Sequence, residues 1–481
     1  MTVNLGVRYE PWTVPAETHG RVSIVKDWVH ATSFDVGVPF WQNPSRKNFS
    51  PRVGFSWDPK GDGKTAIRGG FGLFFVDMLG SYFRTPSTKN PPFAAFLRTP
   101  VGNLATAVSD VARLAPALLN PLMTPQSFMQ ITQWDLKPMY EMKFNFAIQR
   151  QLPGDMSLTI GYMGDRGIHG WHSNDANDSP TSYLNGRGFV LPGTPRLNPN
   201  TSDGTIFYTD SRMFYNALQV EVKKRLSRGL QLQSSYTWSR AIDDSGSGTA
   251  GDFNGQPSIN QDPYQTKADR GLSPLHLEHN WVLNGTYALP SPVKSGFAST
   301  LLGGWQLSGI LSASTGPPFT VFTSGFNAPN RGEQSGSQRP DHVPGRSNNN
   351  IVSGTTAGCP GVAAGQKLGT PTRYFDPCAF VLPPPNFYGN LGRDTFIGPG
   401  FASLDVSVFK STYLHITEAS RLEFRADFFN LANRANFAIP NGSSGGQVLN
   451  PSNRQYIGSA GRITSTVGSS RQLQFGLKVV F

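Results

Sequence analysis

The chain ends in SSRQLQFGLKVVF, and from Arg471 onward its residues alternate in character. Leu473, Phe475, Leu477, Val479 and Phe481 fall on one side of an extended strand, and Gln472, Gln474, Gly476 and Lys478 on the other. Successive side chains of a strand point to opposite faces, so this is a strand pattern. The same period opens the chain, with Val3, Leu5, Val7 and Tyr9 against Asn4, Gly6 and Arg8. In PRVGFSW it sets Val53, Phe55 and Trp57 against Arg52, Gly54 and Ser56. In TAIRGGFGLFF it sets Ile67, Phe71 and Leu73 against Arg68, Gly70 and Gly72. It runs on through MKFNFAIQRQL, MSLTIGYM, LQVEVKKRL, LQLQSSYTW, WVLNGTYAL, WQLSGILSA and LDVSVFK. In RLEFRADFFN, Leu422, Phe424, Ala426 and Phe428 oppose Glu423, Arg425 and Asp427. The pattern predicts about twelve strands, each near the roughly 9–11 residues that cross a bilayer at a tilt. One face meets something greasy and the other meets water.

The connections between these segments alternate in length. Five are short: PKGDG, PGD, SRG, and the longer 290–303 and 411–420. Six are long, at roughly 10–49, 76–140, 165–213, 241–278, 315–400 and 431–470. Outer-membrane barrels have short periplasmic turns and long extracellular loops. The expected fold is therefore all-β: an antiparallel transmembrane β-barrel segment with long extracellular loops, in the outer membrane of a Gram-negative bacterium. With the short joints in the periplasm, Trp57, Tyr287 and Trp305 lie near one set of strand ends. Tyr162, Tyr236, Trp238, Trp281 and Phe428 lie near the other. Those are the two aromatic girdles of a membrane barrel, in contact with lipid. Arg8, Arg52, Arg68, Glu423, Arg425 and Asp427 are expected to face the lumen.

Composition agrees with strands and loops. Of 481 residues, 38% are hydrophobic and mean hydropathy is -0.31, while Gly (52), Pro (38) and Phe (33) are abundant. The net charge of +11 is dispersed, with no basic cluster or nucleic-acid motif, so nucleic acid is not an expected partner. No apolar run is long enough for a transmembrane helix. MTVNLGVRYE reads as a strand and not as a secretory signal, so the expectation at this point is either a soluble chain or an exported one with further residues upstream. Cys359 and Cys378 share one Gly/Pro-rich loop without further metal ligands nearby. One disulfide in an oxidising compartment is expected, with two unpaired thiols as the alternative.

Other motifs carry less. DPKGDGKT lacks the first glycine of a phosphate loop and opens a strand, so it reads as a turn. HLEHN brings His276 and His279 near Glu278, for which a structural role is expected over a metal site or an acid–base pair. Asp243 and Asp244 have no further cation ligands in register. NLATAVSDVARLAPALLN has helical spacing at Leu104, Val108, Val111 and Ala115. No nucleophile, base and orienting acid form a recognisable arrangement, so no catalytic residue and no cofactor are expected.

Several stretches in the same order resemble the barrel portion of Oar-like TonB-dependent outer-membrane receptors. They are NFSPRVGFSWDPKGDGKTAIRGGFGLFF, FNFAIQRQLPGDMSLTIGYMGDRG, NALQVEVKKRLSRGLQLQSSYTWSRAIDD, DRGLSPLHLEHNWVLNGTYALP and LEFRADFFNLANRANF. The likeness covers nearly the whole chain, loops least. Relatives of this kind often carry a carboxypeptidase-regulatory-like domain. The resemblance implies a signal peptide, a TonB-contacting segment, a plug domain and a barrel of about 22 strands. Residues 1–481 are then expected to be the C-terminal part of that barrel, without plug or signal peptide, and unable to transport alone. It also implies an extracellular ligand. The closing strand, with Phe475, Leu477, Val479 and Phe481, resembles the signal read by the barrel-insertion machinery. A sheet cut from a wider ring should stay open, with edges at 2–9 and 471–481. The alternatives are a surface-binding or adhesive barrel without active transport, and an outer-membrane barrel enzyme.

Overall fold

Twelve strands pair in chain order in one antiparallel sheet. They are β1 (Thr2–Tyr9), β2 (Phe49–Trp57), β3 (Thr65–Phe75), β4 (Tyr140–Leu152), β5 (Met156–Ala176), β6 (Gly204–Ser227), β7 (Leu230–Asp243), β8 (His279–Ala288), β9 (Trp305–Ser314), β10 (Phe401–Tyr413), β11 (Arg421–Phe429) and β12 (Gln472–Val480). This computed structural model describes all residues except 43–45, 78–79, 81–88, 95–108, 110–118, 126, 245–259, 294, 324–337, 415, 418–419, 441–445 and 451–452. The helical pattern at Leu104–Ala115 lies outside the described residues.

Cross-strand register shows why one face can be greasy throughout. Directly opposed residues share a face, and Trp57, Ile67, Ile148, Ile160, Val220, Tyr236, Trp281, Ala313 and Ala402 oppose one another in turn across nine strands. A polar row on the other face joins Arg52, Gly72, Lys143, Asp165 and Tyr215. A slip of one residue in any strand would flip its whole set of side chains. The apolar row starts at the last residue of β2, beside a short turn. It ends at the second residue of β10, beside a long connection. The strands are therefore staggered and tilted against the row, as curvature toward a barrel requires.

The sheet is open. β1 pairs with β2 and β12 with β11, and the order ends at both. β1 is exposed along its full length, and β12 along all but its final residue. Apolar exposure is concentrated on one face, where Phe475 is 66% and Leu477 69% exposed. Surfaces of that size in water mark an interaction site. No helix among the described residues is long and apolar enough to cross a membrane.

The short connections are turns built for their geometry. Between β6 and β7, Arg228 and Gly229 both take positive φ (50° and 79°), as a tight two-residue hairpin requires. Between β2 and β3, the Asp58 carboxylate accepts the Gly63 N–H (2.7 Å) and the Lys60 N–H (3.2 Å). Those bonds hold its carboxyl below the usual carboxylate range, the Gly63 bond most.

The long connections differ from expectation in one place. The span 165–213 is shortened from both ends, because β5 runs for 21 residues and β6 for 24, leaving 177–203 as the connection. Their distal ends pair from Gly204–Ala176 to Tyr208–His172, past an irregularity at Tyr208–Ser211. There His172, Ser173, Asn174 and Asp175 are all buried, because other connections cover the strands from both sides. A strand covered on both faces has no reason to alternate, so the period of two is lost.

Candidate functional site

The polar wall follows directly from the strands. The register places Arg8, Arg52, Arg68, Glu423, Arg425 and Asp427 on the polar face. Residues two apart share that face, and such neighbours pair. Arg8 contacts Glu10 at 2.8 Å, Lys143 contacts Glu141 at 2.7 Å and Lys223 contacts Glu221 at 2.9 Å. Arg421 contacts Glu423 at 2.6 Å, and Arg425 contacts Asp427 at 2.9 Å. Each pair is solvated and stabilises little, but together they neutralise the wall. Arg52 instead lies over the Phe74 ring, 4.5 Å from its centroid. Arg68 lies with Lys64 and Arg225 around a cleft of about 170 Å³ near the short turns, where Asp155 is the acidic lining residue. On the opposite face are Phe475, Leu477 and Val479, and Phe481 follows, 79% exposed.

The long connections form a cap with cores of their own. One core gathers Phe319, Phe375, Phe380, Phe396, Val448 and Ala460, each no more than 2% exposed. Among the described residues its twelve buried members lie in the connections 315–400 and 430–471, and none lies in the twelve strands. A second core joins Val25, Phe34, Met123, Met129 and Ile131 to Ala176 and Ile206 at the distal ends of β5 and β6. Cys359 and Cys378 are joined as a disulfide, with Cα atoms 5.5 Å apart. Beside it, the buried Asp376 accepts from Arg346 (2.8 Å), from the Ala357 N–H (3.0 Å) and from the Cys378 N–H (3.1 Å).

Buried and half-buried ion pairs clamp separate connections together. The Arg393 guanidinium bonds Asp243 at the top of β7 and Asp394 (2.9 Å), and donates to the Asp269 carbonyl (2.9 Å). Arg339 bonds the Asp269 carboxylate and donates to the Leu391 carbonyl (2.7 Å). Arg187 holds both Asp341 oxygens at 2.8 Å. Two glycines let the backbone close around these arginines. A Cβ on Gly389 would collide with the Arg339 carbonyl, and one on Gly271 with the Arg393 carbonyl. Burying charge is tolerated only because each is paired and hydrogen-bonded.

The remaining sequence candidates separate. Asp243 is occupied by Arg393, and Asp244 accepts from Ser211 Oγ (2.8 Å) and the Arg212 N–H (2.7 Å). His276 Nδ1 accepts the Ala241 N–H (3.2 Å), while the His279 ring contacts Tyr236 Oη (2.7 Å). Among the described residues no group of three His, Cys, Asp or Glu side chains is placed to hold a metal ion. The period of two points to the wall. It gives no sign of the clamp, whose partners Asp243 and Arg393 are 150 residues apart. The cap also holds a recess of about 210 Å³, lined by Lys26, Asp27, Trp28, Gln133, Trp134 and Asp135. Lys26 Nζ sits 5.3 Å from the Trp134 ring centroid. Indoles beside a few polar groups suit a ligand with an apolar face and hydrogen-bonding edges.

Open sheet, two-faced wall and one-sided cap define a membrane barrel domain. The chain belongs to the outer membrane beta barrel domain family, whose pattern matches residues 1–474. It is accordingly a protein of the Gram-negative outer membrane, and its long connections face outward. No curated protein matches it. Among solved structures it is similar to the outer membrane transporter YddB from Escherichia coli, at 11% identity and TM-score 0.43, over 91% of this chain and 41% of that one. It is also similar to the ferripyoverdine receptor of the outer membrane of Pseudomonas aeruginosa, at 10% identity and TM-score 0.38, over 92% and 34%. A third is the siderophore receptor PiuA from Acinetobacter baumannii, at 7% identity and TM-score 0.37, over 89% and 35%. The chain spans less than half the length of each of these proteins.

Proposed function

We propose that this chain is barrel from an Oar-like TonB-dependent receptor, which captures an extracellular ligand at its cap and passes it inward, without catalysis. The folded cap carries the reading. Among the described residues its connections hold two hydrophobic cores, a disulfide and buried ion pairs, which give that part of the outer surface a fixed shape. A fixed surface with an aromatic recess suits recognition, and the neutralised polar wall beneath it suits a wet passage. Energy would enter through a plug domain contacted by TonB, both implied by the sequence resemblance.

The test uses the complete protein in outer membranes of cells with and without TonB. Uptake of labelled ferric siderophores, oligosaccharides and peptides is measured. The expected result is accumulation of one class only when TonB is present, lost in Trp134→Ala. A ligand that binds the cap equally in both strains, without accumulating, would replace this reading with a surface-binding barrel.

A further inference from the structure

The short connection between β8 and β9 contains a helix, Phe297–Leu302. Its sequence, FASTLL, is two-sided: Phe297, Ala298, Leu301 and Leu302 fall within one arc, and Ser299 and Thr300 lie opposite. The apolar arc is not packed against the protein. Phe297 is 83% exposed, Leu301 56% and Leu302 47%.

Register shows which side of the sheet this helix occupies. Trp305, Lys410, Phe424 and Leu477 oppose one another in turn, so all four share the apolar face. A lysine on a lipid-facing row is costly, and such residues in membranes find partners or reach the interface. Lys410 does both. Its Nζ donates to the carbonyls of Thr300 (2.8 Å), Leu301 (2.9 Å) and Gly303 (2.8 Å), where the helix ends. A cation there also meets the negative end of the helix dipole. The same Nζ lies 4.9 Å from the Trp305 ring centroid, and Trp305 Nε1 donates to the Leu301 carbonyl (3.0 Å). The helix is thus fastened to two residues of the lipid-facing wall, at its short-connection rim.

We propose that Phe297–Leu302 is an interfacial anchor, seated in the phospholipid of the periplasmic leaflet. Its apolar arc continues the face already in contact with lipid, at the level where Trp305 marks the headgroup boundary. Lys410 is the latch that holds the helix flat against the bilayer. The proposal rests on family membership and strand register, and is independent of any transport role.

The experiment places single nitroxide labels at positions 297, 301, 475 and 62 in the complete protein, with its disulfide kept oxidised. The protein is reconstituted in phosphatidylethanolamine–phosphatidylglycerol vesicles. Collision with lipid-soluble oxygen and with a water-soluble nickel chelate is measured. Labels at 297 and 301 should favour oxygen several-fold over the chelate, as at lipid-facing 475, while 62 in the β2–β3 turn favours the chelate. Lys410→Met should leave 475 unchanged and raise chelate access and label mobility at 297 and 301. If 297 and 301 behave like 62 in the unmodified background, the anchor does not exist. If they behave like 475 and Lys410→Met changes nothing, the latch is wrong.

Discussion

At single positions, sensitivity follows what lies against the residue. Gly389 lies against the Arg339 carbonyl, where a Cβ cannot fit without backbone movement. Gly389→Ala should destabilise the cap by about 1–3 kcal/mol. Gly6→Ala, with nothing within 4 Å of the added atom, should not. Denaturant titration of the two variants, read by hydrogen exchange in 338–400, separates them. Two cap histidines set a pH limit. Burial pushes His276 below its ordinary value, with Glu278 opposing and Arg240 reinforcing, and burial does the same to His342 against Asp341. Folding therefore favours the neutral form of both, and the unfolded chain binds protons more readily. Cap stability should be full above the unfolded histidine value of about 6.5 and fall as pH drops below it toward the depressed folded values. Thermal melts at several pH values between neutral and mildly acidic check the sign. A melting temperature that rises on acidification through this window would contradict it.

Among elements, the strands are governed by their two faces. Val220 sits in the apolar row and Glu221 on the polar wall beside Lys223. Val220→Arg should cost roughly 2–4 kcal/mol, whereas Glu221→Arg should cost far less. Folding titrations into vesicles report the difference, and equal penalties would mean the register is wrong. In the loop closed by Cys359–Cys378, replacing both cysteines with serine should remove roughly 3 kcal/mol of loop order. Proteolysis between them measures that loss. The same contrast explains what the sequence discloses. Phe475 and Gln474 are legible because lipid lies on one side of β12 and not the other. His172 to Asp175 are not, because protein covers β5 from both sides there. Phe319, Phe375, Phe380 and Phe396 are less legible still. They form one core from Gly- and Pro-rich segments with no period, and only the fold brings them together. The tie from Asp243 to Arg393 leaves no local trace at all.

For the whole molecule, the open sheet matters most. β1 and β12 present unpaired backbone groups along their outer edges. In lipid each such group costs several kcal/mol, and in water an exposed edge invites further strands. Residues 1–481 alone in detergent should form larger species as concentration rises, seen by light scattering. A monodisperse monomer with exchange-protected amides in both β1 and β12 would show that these edges find partners within one chain.

The cap's larger core draws nothing from the twelve strands that support it. Its folding energy and the wall's insertion energy are therefore held in different residues. Selection can then rewrite the outward surface without disturbing insertion, and the two can diverge at different rates. The same separation makes 315–400 and 430–471 a transplantable pair once the partners of their buried charges, Asp243, Asp269 and Arg187, go with them. Moved in that way onto another barrel with matching strand ends, they should carry their shape, and whatever they recognise, with them.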